Sequence, residues 1–258
     1  NYLAADRPDI MYATKELCRG MAAPTSVMWH RLKRLGRYLV GNSRTVLEYD
    51  WQSHEAEVTG YSDSDWAGCR VTGRSTSGGA LMIGGHFLKG WSRTQNHVTM
   101  SSAEAELVAM VKCSAELMGV RSMMLDWGDD SSGNIYADSS AALAIAKRKG
   151  AGKLRHINVG SLWIQERQDK QEIEHRKVIG TENPADMVGK VRETFSKDCF
   201  HRLTHRPEMT MTGRTYASGR ETDLEDWLIE KPLRNLLSTD YPWAVSYTHL
   251  TLPTSDLV

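Results

Sequence analysis

Four acidic residues lie where the sequence predicts that a strand ends or a helix begins: Asp63, Glu106, Asp138 and Asp186. Each of them alone is as easily explained by helix capping or by solvation, so the argument depends on the whole set. Hard divalent cations such as Mg²⁺ take oxygen ligands, and a pair of such ions promotes phosphodiester hydrolysis. Carboxylates gathered without a cation would repel one another. The set therefore predicts a divalent-metal site with nuclease chemistry.

The elements before the second acid predict an antiparallel meander. From Glu57, residues alternate in a strand that ends in Asp63. Two short apolar runs follow at residues 80–83 and 87–91, and the Gly84-Gly85 pair between them is typical of a hairpin. Three consecutive strands of this kind pair most simply with their neighbours along the chain.

The later elements alternate helices with strands. Ser101 and Ser102 are candidate N-caps for a helix that reaches about Trp127, and Ser139 is a candidate N-cap for a second helix. The other predicted elements are a strand at 134–137, helices at 141–147 and 157–168, a strand at 172–179, and a helix after Asn183 and Pro184 that carries Asp186. This order predicts an α/β fold with a mixed sheet, three antiparallel strands and then parallel ones, flanked by helices. If the first and fourth strands are neighbours, Asp63 and Asp138 emerge side by side.

The segments outside this core differ from it in composition and periodicity. Residues 10–40 keep helical spacing with a break at 22–25, and a basic cluster occupies the second helix: Arg31, Lys33, Arg34 and Arg37. Because the chain begins at Asn1 within an apparent helix, we expect a fragment or a processed product. Residues 193–244 are polar and weakly periodic, and we expect little packed structure there. Residues 245–258 match the translation of a transposase-type sequencing adapter, so we expect them to be an artefact.

Composition excludes several classes of protein. No window of about eighteen apolar residues occurs, so no membrane partner is expected. The four cysteines are far apart and form no Cys-x-x-Cys pair, which argues against a zinc site and a disulfide scaffold. The formal net charge is zero, so whole-chain electrostatics give no indication of a nucleic-acid partner.

Seven short motifs follow one another in a fixed order. They are Ser-Asp-Ser-Asp-Trp-Ala-Gly at 62–68, Arg-Ser-Thr-Ser-Gly at 74–78, Trp-Ser at 91–92, Ser-Ser-Ala-Glu-Ala-Glu at 101–106, Asp-Ser-Ser-Ala-Ala-Leu at 138–143, Lys-Leu-Arg-His-Ile at 153–157 and Ala-Asp at 185–186. Through them, residues 57–190 resemble the ribonuclease H domain of Copia-type LTR retrotransposon Pol polyproteins. Residues 1–50 resemble the end of the reverse transcriptase that precedes that domain, without its paired catalytic aspartates.

The resemblance implies a domain organisation and an activity. Residues 1–50 would be a helical remnant of the reverse transcriptase, and 55–192 a ribonuclease H domain that cuts the RNA strand of RNA/DNA hybrids during reverse transcription. The four acids would be its catalytic residues and would hold two Mg²⁺ ions, which Mn²⁺ can replace. The implied partners are the hybrid and the rest of the polyprotein, reverse transcriptase and integrase. The family also suggests cytoplasmic virus-like particles or the nucleus as its location.

Several residues keep two interpretations. Ser101, Ser102 and Ser139 contact the hybrid backbone, serve as N-caps, or do both. His156 matches a histidine usual in the family and is either a structural contact or a replacement for a catalytic histidine, since residues 180–183 lack the one that many cellular ribonucleases H carry there. Asp65 is expected to support Asp63 rather than to bind metal.

Two alternatives to an active ribonuclease H remain open. One is a catalytically inactive remnant or a connection module that binds the hybrid without cutting it. The other is an integrase-like nuclease, which is less favoured because that class relies on an Asp, Asp, Glu set and the last acid here is Asp186.

Overall fold

The computed structural model describes residues 2–45, 47, 49–52, 57–150, 152, 156 and 159–189. The predictions for residues 193–244 and 245–258 lie outside the described residues. The domain boundaries inferred from the resemblance also stay predictions.

A five-stranded sheet in the order β3-β2-β1-β4-β5 forms the centre of the fold. Its strands are β1 (Glu57–Asp65), β2 (Thr76–Ile83), β3 (His86–Thr94), β4 (Ser132–Ala137) and β5 (Glu174–Lys177). The pairs β1–β2 and β2–β3 are antiparallel, whereas β1–β4 and β4–β5 are parallel. The predicted ribonuclease H-like mixed sheet is thereby confirmed.

Helices cover both faces of the sheet. The helices are α1 (Tyr2–Asp6), α2 (Met11–Cys18), α3 (Ser26–Gly41), α4 (Ser102–Asp126), α5 (Ser140–Lys147), α6 (Trp163–Asp169) and α7 (Ala185–Gly189). Neighbouring strand residues point to opposite faces. Accordingly, Leu81 of β2 packs with Cys113 of α4, and Ala80 packs with Met11 of α2 and Val188 of α7. The sheet is therefore buried between α4 on one face and α2 with α7 on the other.

The local signals that predicted these elements operate as expected. Gly84 has a φ of +55°, which the tight turn between β2 and β3 requires and which glycine adopts without strain. The Ser101 hydroxyl caps α4 by accepting a hydrogen bond from the backbone N–H of Glu104 at 3.2 Å. None of the helices among the described residues combines the length and the apolar composition needed to cross a membrane.

Several elements differ from the prediction in length, among them β2, which begins at Thr76 rather than at residue 80. β1 runs to Asp65 instead of ending at Asp63, because pairing with β2 continues after pairing with β4 has stopped. α2 is preceded by a 3-10 turn at Pro8–Ile10, and α6 is preceded by a 3-10 turn at Val159–Leu162. The last strand covers Glu174–Lys177 rather than 172–179, because its ladder to β4 covers only those four residues.

Candidate metal and nuclease site

The acidic site begins where two parallel strands part. The last pair of the β1–β4 ladder joins Ser62 to Ala137, and the next residues of the two strands are Asp63 and Asp138. β1 continues beside β2, with Asp63 opposite Gly78, whereas β4 ends. The carboxyl ends of parallel strands, where neighbouring strands separate, form the crevice in which α/β proteins bind ligands.

Three of the four predicted acids come together at this point. Asp63, Glu106 and Asp138 each offer a carboxylate oxygen, and these oxygens all lie within 4.8 Å of one another. Asp63 and Glu106 are buried, and Asp138 is partly exposed. The fold thus places three acidic groups from β1, the first turns of α4 and the end of β4 around one small volume.

Glu106 is held in place by the residue that follows Asp63. Its Oε1 atom accepts hydrogen bonds from the backbone N–H of Ser64 at 3.1 Å and from the Ser64 hydroxyl at 2.9 Å. Glu104 has a different task, because its Oε2 atom accepts a hydrogen bond from the backbone N–H of Met100 at 2.8 Å and so helps to cap α4. Of the two glutamates, the structure brings Glu106 to the aspartates, as predicted.

Asp138 lies against the loop that follows β5. A Cβ atom at Gly180 would be 3.1 Å from the Asp138 Oδ2 atom, so that glycine leaves room for the carboxylate. The Lys177 ammonium donates to the backbone oxygen of Asp138 and, at 2.8 Å, to the hydroxyl of Ser140. These bonds fix the turn between β4 and α5 in which Asp138 lies.

The fourth predicted acid, Asp186, is buried in α7 and does not belong to the group of three. Its helix nevertheless borders the site, because a Cβ atom at Gly189 would lie 3.0 Å from the Asp63 Oδ2 atom. A Cβ atom at Gly78 would lie 2.6 Å from the Gly189 Cα atom, so α7 packs directly on the backbone of β2. Whether Asp186 is a metal ligand stays a prediction.

Two positioning residues of the site were not predicted as such. Asn183 is fully buried, and its side-chain amide donates to the backbone oxygen of Ser62 at 2.9 Å. The sequence indicated only a helix start there. Gly78 was noted only as the last residue of the Arg-Ser-Thr-Ser-Gly motif, although a Gly-Gly pair within a strand marks a close approach of another backbone and was the available signal.

The predicted nucleic-acid contacts lie beside the site. The hydroxyls of Ser101 and Ser139 accept hydrogen bonds from backbone amides as N-caps of α4 and α5, and Ser102 is exposed at the first position of α4. The His156 Nε2 atom lies 3.3 Å from the Glu104 Oε2 atom, and 40% of its side chain is exposed. The capping and structural interpretations therefore hold for Ser101, Ser139 and His156, and hybrid binding stays a prediction.

Asp65 does not join the group of three. Its carboxylate folds over Gly68, where a Cβ atom would lie 1.7 Å from the Asp65 Oδ2 atom. The glycine at the start of the β1–β2 loop is therefore required by the side chain of Asp65. This arrangement supports the expectation that Asp63, rather than Asp65, is the acid of the strand that faces the metal site.

The donor set fits a hard divalent cation. All three grouped residues offer carboxylate oxygens, which Mg²⁺ and Mn²⁺ prefer over nitrogen or sulfur. Two of the three residues are buried, and burial of like charges side by side is unfavourable unless a cation or protons compensate them. A divalent ion between Asp63, Glu106 and Asp138 would remove this repulsion.

No family model matches the chain, but individual proteins do. It is 28% identical over 191 residues to the retrovirus-related Pol polyprotein from transposon TNT 1-94 of Nicotiana tabacum, which covers 73% of this chain and 14% of that protein. It is 35% identical over 167 residues to the corresponding polyprotein from transposon RE2 of Arabidopsis thaliana, covering 64% of this chain and 11% of that protein. The chain is similar to short segments of retrotransposon Pol polyproteins. The predicted resemblance to a Copia-type Pol fragment is thereby confirmed, and the fragment spans about a tenth of these polyproteins.

Two further similarities are found. The chain is also 34% identical over 114 residues to the secreted RxLR effector protein 161 of Plasmopara viticola, of which it covers 80%. Its name describes that relative as a secreted effector, and neither property is attributed to this chain. Among solved structures, a compost-derived ribonuclease H1 named LC11 aligns with 52% of this chain and 92% of its own chain, at 15% identity and a TM-score of 0.42.

Proposed function

We propose that this chain hydrolyses the RNA strand of RNA/DNA hybrids with the help of divalent cations. The observation that carries the proposal is the meeting of Asp63, Glu106 and Asp138 within 4.8 Å where β1 and β4 separate. Similarity to retrotransposon Pol polyproteins supports it, because the resemblance implies a domain that removes RNA from hybrids during reverse transcription. The mixed-sheet topology supports it as well.

Each residue of the site has a separate role in this proposal. Asp63, Glu106 and Asp138 would hold the cation, and Asp186 is proposed as a fourth ligand. Ser64 holds the Glu106 carboxylate by two hydrogen bonds. Bound divalent ions, a pair of Mg²⁺ in this proposal with Mn²⁺ as a substitute, would activate a water molecule and stabilise the leaving oxygen. The hybrid is recognised by its shape and its 2′-hydroxyls rather than by base sequence. We propose Ser101, Ser102, Ser139 and His156 as contacts to it, and reverse transcriptase and integrase as polyprotein partners.

The test is cleavage of a labelled RNA strand in Mg²⁺, offered in a hybrid, as a single strand and in an RNA duplex. We expect the full chain to cut only the hybrid. Asp63→Asn and Asp138→Asn remove one charge each without changing side-chain size, and each should lower kcat by about 10³-fold, the order seen when a preorganised charge-stabilising group is lost. Asp65→Asn is the matched comparison, since that acid lies two residues from Asp63 and outside the group of three, and it should lower kcat much less than Asp63→Asn does.

Two results would contradict the proposal. Retained cleavage in Asp63→Asn or Asp138→Asn, in a protein with unchanged thermal unfolding, would show that these acids are not the site. Hybrid binding without cleavage by the folded wild-type chain would instead identify the inactive, hybrid-binding module that the sequence also allowed.

A further inference from the structure

Helix α7 depends on the N-terminal segment for its packing. Val188 of α7 forms one buried cluster with Ala80 of β2, Phe87 of β3 and Met11 of α2. Met11 therefore lies over the same sheet face as α7 and completes its apolar surroundings. Because only five residues form α7, its own hydrogen bonds are too few to stabilise it, and it depends on tertiary packing.

The segment before α2 is anchored by a buried ion pair. The Arg7 guanidinium donates from Nε and Nη2 to the two Asp9 carboxylate oxygens at 2.9 and 2.6 Å. The Tyr38 hydroxyl of α3 donates to the same carboxylate at 2.8 Å. Burial, followed by the Asp9 charge, raises the pKa of Tyr38, so its hydroxyl keeps the proton that it donates. The 3-10 turn Pro8–Ile10 between these groups packs against α7.

Helix α2 is itself held on the sheet at two places. The Lys15 ammonium donates to the Thr76 hydroxyl at the start of β2 at 2.8 Å. A Cβ atom at Gly90 of β3 would lie 3.1 Å from the Met11 sulfur, so the absence of a side chain there admits Met11 to the surface of the sheet. The 3-10 turn, α2 and the sheet thus all contact α7.

We infer that residues 7–18, together with Tyr38, form a clamp that positions α7, and hence Asp186 and the backbone beside Asp63. Met11 and Asp9 are its positioning residues, since the first contacts the apolar side of α7 and the second anchors the turn that covers it. Residues 7–18 lie in the segment that resembles the end of the reverse transcriptase. Through the clamp, this segment contributes to the nuclease site. Its effect on cleavage rests on the proposed function, whereas its effect on α7 does not.

Hydrogen exchange tests the clamp without any need for activity. In the native chain the amide of Asp186 donates to the backbone oxygen of Asn183, and the amide of Ala185 donates to the Asn183 side chain. We expect Met11→Ala to speed exchange in the peptide covering residues 180–189 by about tenfold while leaving α5 as in the wild type. Ile164→Ala, a truncation of equal kind in the cluster beneath α5 and α6, should do the reverse.

A conservative series separates positioning from general destabilisation. Met11→Leu should restore slow exchange at residues 180–189. Tyr38→Phe removes only the hydrogen bond to Asp9 and should raise the exchange rate at residues 180–189 by a smaller factor of about threefold. This variant replaces Met11→Ala in the test if Met11→Ala does not fold. Equal exchange at residues 180–189 in the Met11→Ala and Ile164→Ala variants would overturn the clamp, and so would exchange as slow as in the wild type.

Cleavage gives the second readout. Met11→Ala should lower kcat and raise the Mg²⁺ concentration for half-maximal rate, each by about tenfold, with the KM for the hybrid unchanged. A wild-type chain that does not cleave the hybrid would refute the proposed function and leave the exchange result to decide on the clamp. A changed KM with unchanged Mg²⁺ dependence would contradict positioning of α7 by the clamp.

Discussion

The side-chain amide of Asn183 donates a hydrogen bond to the backbone oxygen of Ser62, 121 positions earlier in the chain, at 2.9 Å. Its Oδ1 atom accepts a hydrogen bond from the backbone N–H of Ala185 at 3.1 Å. One buried amide group therefore joins the residue before Asp63 to the first residue of α7. The Asn183 side chain thus links β1, which carries Asp63, to α7, which carries Asp186.

Asn183→Ala should weaken both the fold and the proposed activity. The Ser62 oxygen and the Ala185 amide would lose their partner inside the protein, which costs about 1–3 kcal/mol of unfolding free energy. We expect kcat for hybrid cleavage to fall by roughly 10–100-fold, the range found when groups that orient metal ligands are removed. Denaturant unfolding and steady-state kinetics of the same variant measure the two effects.

Asn183→Asp is the discriminating companion variant. Aspartate still accepts the hydrogen bond from Ala185, but it has no amide hydrogen for the Ser62 oxygen and adds charge beside Asp63. Its kinetics should therefore resemble those of Asn183→Ala. Wild-type kinetics in Asn183→Asp would show that the bond to Ser62 has no part in aligning the site.

Glu106 and Glu104 offer a matched pair on one helix turn. Glu106→Gln keeps the side-chain shape and removes the charge that we propose as a metal ligand, so it should abolish both cleavage and the rise in melting temperature that Mg²⁺ gives the wild type. Glu104→Gln should retain both, because glutamine also accepts the capping hydrogen bond from Met100. A Mg²⁺-dependent rise that persists in Glu106→Gln would exclude this residue as a ligand.

Sequence patterns predicted the elements of this fold because those signals are local. The glycine pair at residues 84–85 marked the hairpin, and Ser101 marked the start of α4, since each acts on backbone within a few residues. The approach of Asp63 and Asp138 was also predictable, because parallel neighbours end at one edge of a sheet.

Other features depend on contacts that no local pattern encodes. The hydrogen bond from Asn183 to Ser62 requires residues far apart in the chain to meet. The sequence around Asn183 predicted only the start of a helix. The packing of Met11 over Val188 likewise joins the two ends of the described chain. The prediction that the first strand ends at Asp63 was wrong by two residues, because a strand continues for as long as a partner strand pairs with it.

Cys69 should react with iodoacetamide at a lower pH than an ordinary cysteine. The Arg19 guanidinium donates to its sulfur at 2.7 Å, and this bond, followed by one from Thr72, lowers the pKa of the thiol to about 6. The thiolate is the reactive form, so alkylation should be half-maximal near pH 6. Mass spectrometry of the labelled peptides measures the rate at each site.

The controls for Cys69 lie in the same chain. Arg19→Gln should move the midpoint of alkylation upward by more than one pH unit, because the cation that stabilises the thiolate is gone. Cys113 is fully buried, and burial raises the pKa of its thiol, so it should stay unlabelled in the folded protein. A midpoint that does not move in Arg19→Gln would show that α2 does not hold Arg19 against the β1–β2 loop in solution.

His175 should make the fold sensitive to mild acid. The side chain is fully buried in β5, its Nδ1 atom lies 2.7 Å from the Gln168 Oε1 atom, and burial, followed by the charge of Lys147, lowers its pKa to about 4. The unfolded chain has the ordinary histidine pKa of about 6.5 and therefore takes up the proton first. Above that pH the neutral ring makes its full contribution to the free energy of unfolding. This contribution is lost as the pH falls from about 6.5 toward 4, and the loss is on the order of 3 kcal/mol.

His175→Leu separates this histidine from the carboxylates that titrate below it. Gln168 keeps a partner in the variant, because its Oε1 atom also accepts the backbone N–H of residue 175 at 3.0 Å. Urea unfolding at several pH values between 5 and 7 should show a free energy that falls with acid in the wild type and changes much less in the variant. Parallel curves for the two proteins would mean that His175 takes up its proton equally well when folded, and hence that β5 does not bury it.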